Sequence, residues 1–239
     1  MIASTDAISG PPGGTDARAT DWLLPLALLA VVGAMIRAIA FTPLDGLQGP
    51  AQKIFYVHAP SAFAGLYLGC GIVFLCSVAY LWLRDERLDR TAESAAEVTL
   101  VFLTVVLVTG PIWARPIWGT WWTWDARLTL TLFLWFVLLG YQILRGAVDD
   151  DGMRARYSAV LGVLGGVLVP FIHLSVYLFR TLHPQPIVLK PGAPSMPPEM
   201  ATTFAVSMVA LTLLFGALVR ARYRLATDRT ALARWEGQS

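Results

Sequence analysis

Trp113, Trp118, Trp121, Trp122 and Trp124, five of the chain's nine tryptophans, crowd one stretch, W-A-R-P-I-W-G-T-W-W-T-W-D-A-R, which closes on Asp125 and Arg127. Read as a helix, Trp118, Trp121, Trp122 and Asp125 fall at i, i+3, i+4 and i+7 on one face, with Trp124 on the flank. That spacing predicts a flat aromatic shelf with a carboxylate at its end, suited to a large planar apolar ligand. The rival reading is an aromatic belt, because tryptophan favours membrane interfaces. A belt needs one or two anchors per helix end, and four tryptophans between positions 118 and 124 exceed that.

The chain has only three histidines. His58 lies in V-H-A-P and His183 in L-H-P, so Pro60 and Pro184 stiffen the backbone beside each. Neutral imidazole is a common metal ligand and a proximal haem ligand. Two histidines from separate loops can fill both axial positions of a haem iron. The tryptophan shelf would then pack the macrocycle, and Lys53, Arg115, Arg127, Arg180 or Lys190 could meet its propionates. Ordinary contacts of each histidine with lipid headgroups compete with this, and spacing alone leaves both readings open. A zinc site is the weaker alternative, because zinc usually takes a third or fourth ligand. Asp125 reads equally as a helix cap and as a ligand contact. His173 differs: it lies inside an apolar run, about 15 Å before His183 along a helix, with Tyr177 and Arg180 on its face. An intramembrane histidine is either functional, as a proton path or second haem ligand, or neutral and hydrogen-bonded to a neighbouring helix.

The elements that must position these groups are membrane spans. The chain is 56% hydrophobic and 14% charged, with a mean hydropathy of +0.61; soluble domains carry about 25% charged residues. A net charge of +2 does not point to nucleic acid. Residues 1–20 read as a disordered Gly, Pro, Ser and Thr-rich tail without the pattern of a signal peptide. Residues 21–220 hold six apolar runs, at about 22–41, from the Pro60 turn to about 83, and at about 95–113, 126–144, 157–179 and 200–219, and 221–239 form a basic tail. Pro60 is expected in the first turn of the second span, so that His58 stands just before it. Residues 84–90 and 145–156 are expected as charged turns, and Gly165, Gly166 and Pro170 as a loosening of the fifth span. Arg37 snorkels or pairs within the bundle. Arg18, the two charged turns and the tail place their arginines on one side; Lys53, Arg115, Arg127, Arg180 and Lys190 fall on the other. The positive-inside rule makes the first side cytoplasmic, with both termini there and the tryptophan segment 113–127, His58 and His183 facing outward. Cys70 and Cys76, six apart in one apolar run, match neither a redox nor a metal-ligand spacing and read as small buried residues.

The run W-G-T-W-W-T-W-D-A-R-L-T, from Trp118 to Thr129, closely resembles the tryptophan-rich WWD signature of haem-handling proteins in cytochrome c maturation. V-H-x-P at Val57 to Pro60 and L-H at Leu182 and His183 flank it in the expected order. With six spans, the chain resembles the CcmC family, haem exporter protein C, from about Trp22 to Arg220. The resemblance implies an inner-membrane protein that presents haem b, as non-covalent transient cargo, on the periplasmic side. It implies loading of the haem chaperone CcmE, with the ABC-type subunits CcmA and CcmB and the small protein CcmD. His58 and His183 match the axial ligands. Trp118, Trp121, Trp122, Trp124 and Asp125 match the haem platform, with Trp113 and Arg127 beside it. The larger relatives CcmF and CcsA have many more spans and extra histidines, and His173 matches no ligand element of the family.

The expectation is thus an all-α, six-span bundle that binds haem at its outer face and hands it on, without turning over a substrate. A b-type cytochrome subunit is the alternative, although that class pairs histidines inside spans and only His173 is central here. A small-molecule transporter is a third reading, against which intramembrane charge is sparse. No G-x-x-x-x-G-K-[ST] P-loop is present, so ATP dependence would come from partners.

Overall fold

The computed structural model describes residues 21–184 and 196–236. Among the described residues, six helices are long and apolar enough to cross a membrane: α1 (Leu23–Phe41), α2 (Pro50–Leu83), α3 (Glu86–Trp118), α4 (Ala126–Ala147), α5 (Asp151–Leu178) and α6 (Pro198–Glu236). Even the shortest, α1 with 19 residues, is about 28 Å long, close to the roughly 30 Å of a bilayer's hydrocarbon core. The all-α, six-span expectation holds. The 1–20 tail and Lys190 lie outside the described residues.

Helix boundaries follow capping chemistry rather than hydropathy. Asp85, Asp125 and Asp150 cap α3, α4 and α5, their carboxylates accepting the backbone N–H groups of Arg87, Leu128 and Met153. The charged turns therefore shrink to Arg84–Asp85 and to 148–150; the remaining charged residues are helical. Lys, Arg and Glu are good helix formers, and acids in a first turn suit the helix dipole, so apolar runs mark only the part of each helix that lipid requires. The basic tail is likewise not a separate segment. α6 continues to Glu236, and Arg222 and Arg234 on it pair with Glu97 and Glu86 of α3. At the same end, Arg145 of α4 forks onto Asp89 at 2.7 and 3.0 Å and reaches Glu93 at 3.0 Å.

α2 departs most from expectation. Pro50 opens it in a 3-10 turn, so His58 lies within the helix and not before it, and Pro60 is interior. Pro60 has no N–H to offer the carbonyl four residues earlier, and the helix widens into a π segment at Phe63–Gly69 before closing again as α-helix at Cys70. In α5 the glycines do not loosen the helix, which runs unbroken through Pro170. They let α2 approach. A Cβ at Gly166 would lie 2.5 Å from Phe74 Cβ, and one at Gly162 would lie 3.1 Å from Ser77 Cβ and Val73 Cγ1. The main core sits between α2, α3, α4 and α5, around Leu66, Val73, Leu103, Leu134, Leu138 and Ile172. Cys70 is buried there as a free thiol, and Cys76 is half-buried and also free.

Candidate functional site

The tryptophan segment is not one helix. Gly119 adopts a left-handed φ of 75° and ends α3 at Trp118, while Asp125 opens α4. Residues 119–125 between these two ends form a loop, so the i, i+3, i+4, i+7 stripe does not exist. The aromatic cluster survives without it. Trp122 and Trp124 meet edge to face at 5.8 Å. Trp121 and Trp124 are 58% and 77% exposed, whereas the Trp122 ring is half-buried. The Trp122 Nε1 donor is buried and has no hydrogen-bond partner among the described residues.

Trp113 lies apart from this loop, inside α3. Its Nε1 donates to Gln48 Oε1 at 3.0 Å, its ring packs on Phe55 at 5.9 Å, and it meets the His58 ring at 5.7 Å. It forms a wall beside His58 and ties the 42–49 loop to α3. Of the cations proposed for carboxylate contact, Lys53 bonds the backbone carbonyls of Thr42 and Pro43, and Arg115 bonds that of Gly119 at its own helix end. Arg180 is exposed. Arg127 is placed differently: its side chain hydrogen-bonds Tyr67 and lies within electrostatic reach of His58, His183, Asp125 and Tyr177. Its Nη1 is buried without a hydrogen-bond partner among the described residues.

The two histidines reach this centre from different elements. His58 comes from α2, and its Nδ1 lies 2.9 Å from Thr109 Oγ1 on α3. His183 follows α5, and its Nδ1 lies 2.9 Å from the Pro184 carbonyl oxygen. A carbonyl can only accept, so Nδ1 of His183 carries the proton and Nε2 holds a free lone pair. The loop is tied back through side chains. Thr181 Oγ1 accepts the His183 backbone N–H at 3.1 Å and donates to Asp125 Oδ2 at 2.8 Å, which also accepts from Thr123 Oγ1 at 3.1 Å. Asp125 is thus a helix cap that also anchors the histidine loop. Thr181 and Thr109 carried no sequence signal as site residues, since their partners Asp125 and His58 lie 56 and 51 positions away.

Burial and the charge of Arg127 push the His183 imidazole down to about 4, against the opposing pulls of the Pro184 carbonyl and Asp125. A histidine in an unfolded chain titrates near 6.5. As the pH falls through the window from about 6.5 to 4, the unfolded chain gains a proton that the folded loop refuses, so this group costs stability there. Above that window His183 is neutral and its Nε2 is free to ligate. An imidazole NMR titration of His183 is expected to give a midpoint near 4, moving upward in Arg127→Gln; a wild-type midpoint near 6.5 would contradict it.

His173 lies deeper. Its Nδ1 is 2.7 Å from the Tyr67 hydroxyl in the π segment of α2, and its ring meets those of Tyr67 and Tyr177 at 5.9 and 6.1 Å. The hydrogen-bonded reading of this residue is the one the geometry supports. Among the described residues no cluster of three or more His, Cys, Asp or Glu side chains could hold a bare metal ion. The arrangement instead offers two imidazoles, an aromatic loop and a buried guanidinium with a free donor.

The family model described as "Heme exporter protein C" matches residues 14–236. A heme exporter protein C of Bradyrhizobium diazoefficiens is 35% identical over 208 residues, covering 87% of this chain and 78% of the relative. That of Haemophilus influenzae is 35% identical over 203 residues, covering 84% and 81%. That of Escherichia coli K12 is 31% identical over 203 residues, covering 85% and 81%.

Proposed function

The chain belongs to the haem exporter protein C family, and from that premise we propose that it holds haem b at the histidine end of the bundle and delivers it to the chaperone CcmE for cytochrome c maturation. His58 and His183 are the axial ligands. The observation that carries this reading is the convergence of imidazoles from α2 and from the loop after α5 on one buried arginine, beside an exposed tryptophan loop. Two neutral nitrogen ligands suit a haem iron, whose four equatorial positions the porphyrin fills. Trp118, Trp121, Trp122 and Trp124 supply apolar surface for the macrocycle. The orphaned Nη1 of Arg127 is a donor in want of an anion, which a propionate provides.

The distribution of arginines supports a periplasmic position for this end and a cytoplasmic one for both termini, in the bacterial inner membrane. The chain contains no P-loop, so energy would enter through CcmA and CcmB, with CcmD as a further subunit. The protein acts as a delivery module and not as an enzyme. Transfer proceeds by ligand exchange, a group on the chaperone displacing the imidazoles from iron. Haem loading of CcmE is therefore expected to fall to background in the double variant His58→Ala/His183→Ala, assayed by haem stain of the chaperone. Full loading with both histidines removed would reject the exchange mechanism.

A further inference from the structure

We infer that Thr109 is a positioning residue for His58, holding the imidazole proton on Nδ1 so that the Nε2 lone pair is the one presented to the site. The consequence for haem rests on the function proposed above; the tautomer itself does not. The Thr109 hydroxyl has one proton and two oxygen or nitrogen neighbours at short range, the Val106 carbonyl oxygen standing off at 3.5 Å. Its Oγ1 lies 2.6 Å from the Val105 carbonyl oxygen and 2.9 Å from His58 Nδ1. The carbonyl carries no proton. At 2.6 Å two oxygens would abut lone pair to lone pair unless the hydroxyl proton lay between them. The proton is therefore spent on Val105, the usual bond of a threonine to the carbonyl four residues back. What remains toward His58 is an acceptor, and only an Nδ1–H can satisfy it.

The surrounding packing fixes the ring that Thr109 orients. A Cβ at Gly110 would lie 3.4 Å from His58 Cε1, so the imidazole rests against bare backbone at that position. Trp113, one helical turn beyond Thr109, closes the other side edge to face at 5.7 Å. Thr109, Gly110 and Trp113 thus form a cradle on α3 for a side chain of α2. His183 reaches the same tautomer by a separate route, through the Pro184 carbonyl. Both imidazoles are set in the Nε2-ligating form before any cargo arrives. An outer partner that fixes a ligating histidine in this way typically contributes about 10- to 100-fold to affinity.

The chain contains three histidines, so nitrogen-15 histidine labelling gives three sets of ring signals, with that of His58 assigned by its loss in His58→Gln. At about pH 8.5, roughly two units above the ordinary histidine value, the haem-free protein is expected to show His58 protonated at Nδ1. Thr109→Ser keeps the hydroxyl and is expected to retain that tautomer. Thr109→Val removes the acceptor and is expected to give a mixture of tautomers, with haem binding weakened by about 10- to 100-fold. An Nε2–H tautomer in the wild type overturns the inference. So does a pure Nδ1–H signal in Thr109→Val, or full retention of haem affinity in Thr109→Val while His58→Ala abolishes binding. Haem binding unaffected by His58→Ala would reject the proposed function instead, and would leave the tautomer result standing.

Discussion

Purified His58→Ala and His183→Ala proteins are expected to lose most of their haem or to change its absorption spectrum, while His173→Ala retains the wild-type signal. The separation follows from where the three rings lie. His58 and His183 share the Arg127 neighbourhood, and Nδ1 of each is engaged in a hydrogen bond. His173 also engages its Nδ1, on the Tyr67 hydroxyl, but its ring packs on Tyr67 and Tyr177 within α5 and it is not among the charge partners that His58 and His183 share. Loss of an outer-shell partner of a ligating histidine already costs about 10- to 100-fold in affinity, so loss of the ligand should exceed the lower figure. Absorption spectra and haem content measure both quantities on one sample. Loss confined to His173→Ala would move the site into the membrane and favour a cytochrome-like subunit. Unchanged haem in all three variants would leave the tryptophan loop without an iron anchor.

The parts of this site legible in the sequence were those governed by local rules. Apolar runs located six spans, because a bilayer demands length and hydropathy from each segment independently. Asp125 was readable as a cap because the signal is a single residue before a helical run. The loop nature of residues 119–125 was also local. Gly119 in W-G-T is the left-handed stop that a helix C-terminus favours, and it interrupts the helical spacing of the tryptophans. Pro50 likewise marks the start of α2, because a first turn accepts either proline and the earlier one opens the helix that holds His58. Other features had no local trace. Thr109 is an ordinary threonine in an apolar run until α2 brings His58 to it. The ion pairs from the C-terminal half of α6 join it to a helix more than a hundred residues earlier. Tertiary contact assigns such roles, and spacing along one element cannot.

Gly166→Leu is expected to destabilise the bundle more than any substitution of the exposed tryptophans, and Gly165→Ala to be nearly silent. Both glycines sit in the middle of α5, and the sequence offers no reason to distinguish them. The structure does. At Gly166 a Cβ would lie 2.5 Å from Phe74 Cβ and Cδ2 and 2.7 Å from Cγ, whereas at Gly165 the nearest atom is Leu134 Cδ1 at 3.4 Å. The Phe74 contact begins at its Cβ, which moves only with the α2 backbone, so rotamer change alone cannot clear it. Forcing extra carbons into a packed interior costs about 1–3 kcal/mol, and here the neighbouring helix must move as well. Membrane helices gain little from hydrophobic burial against one another, so close approach at small residues contributes much of their association. The consequence reaches the site, since the α2 that Gly166 admits also carries Tyr67 and His58 to their partners on α5 and α3. Thermal unfolding in detergent should show a lowered midpoint for Gly166→Leu and a near wild-type one for Gly165→Ala. Equal stability of the two variants would mean that α2 and α5 do not pack at the distance described.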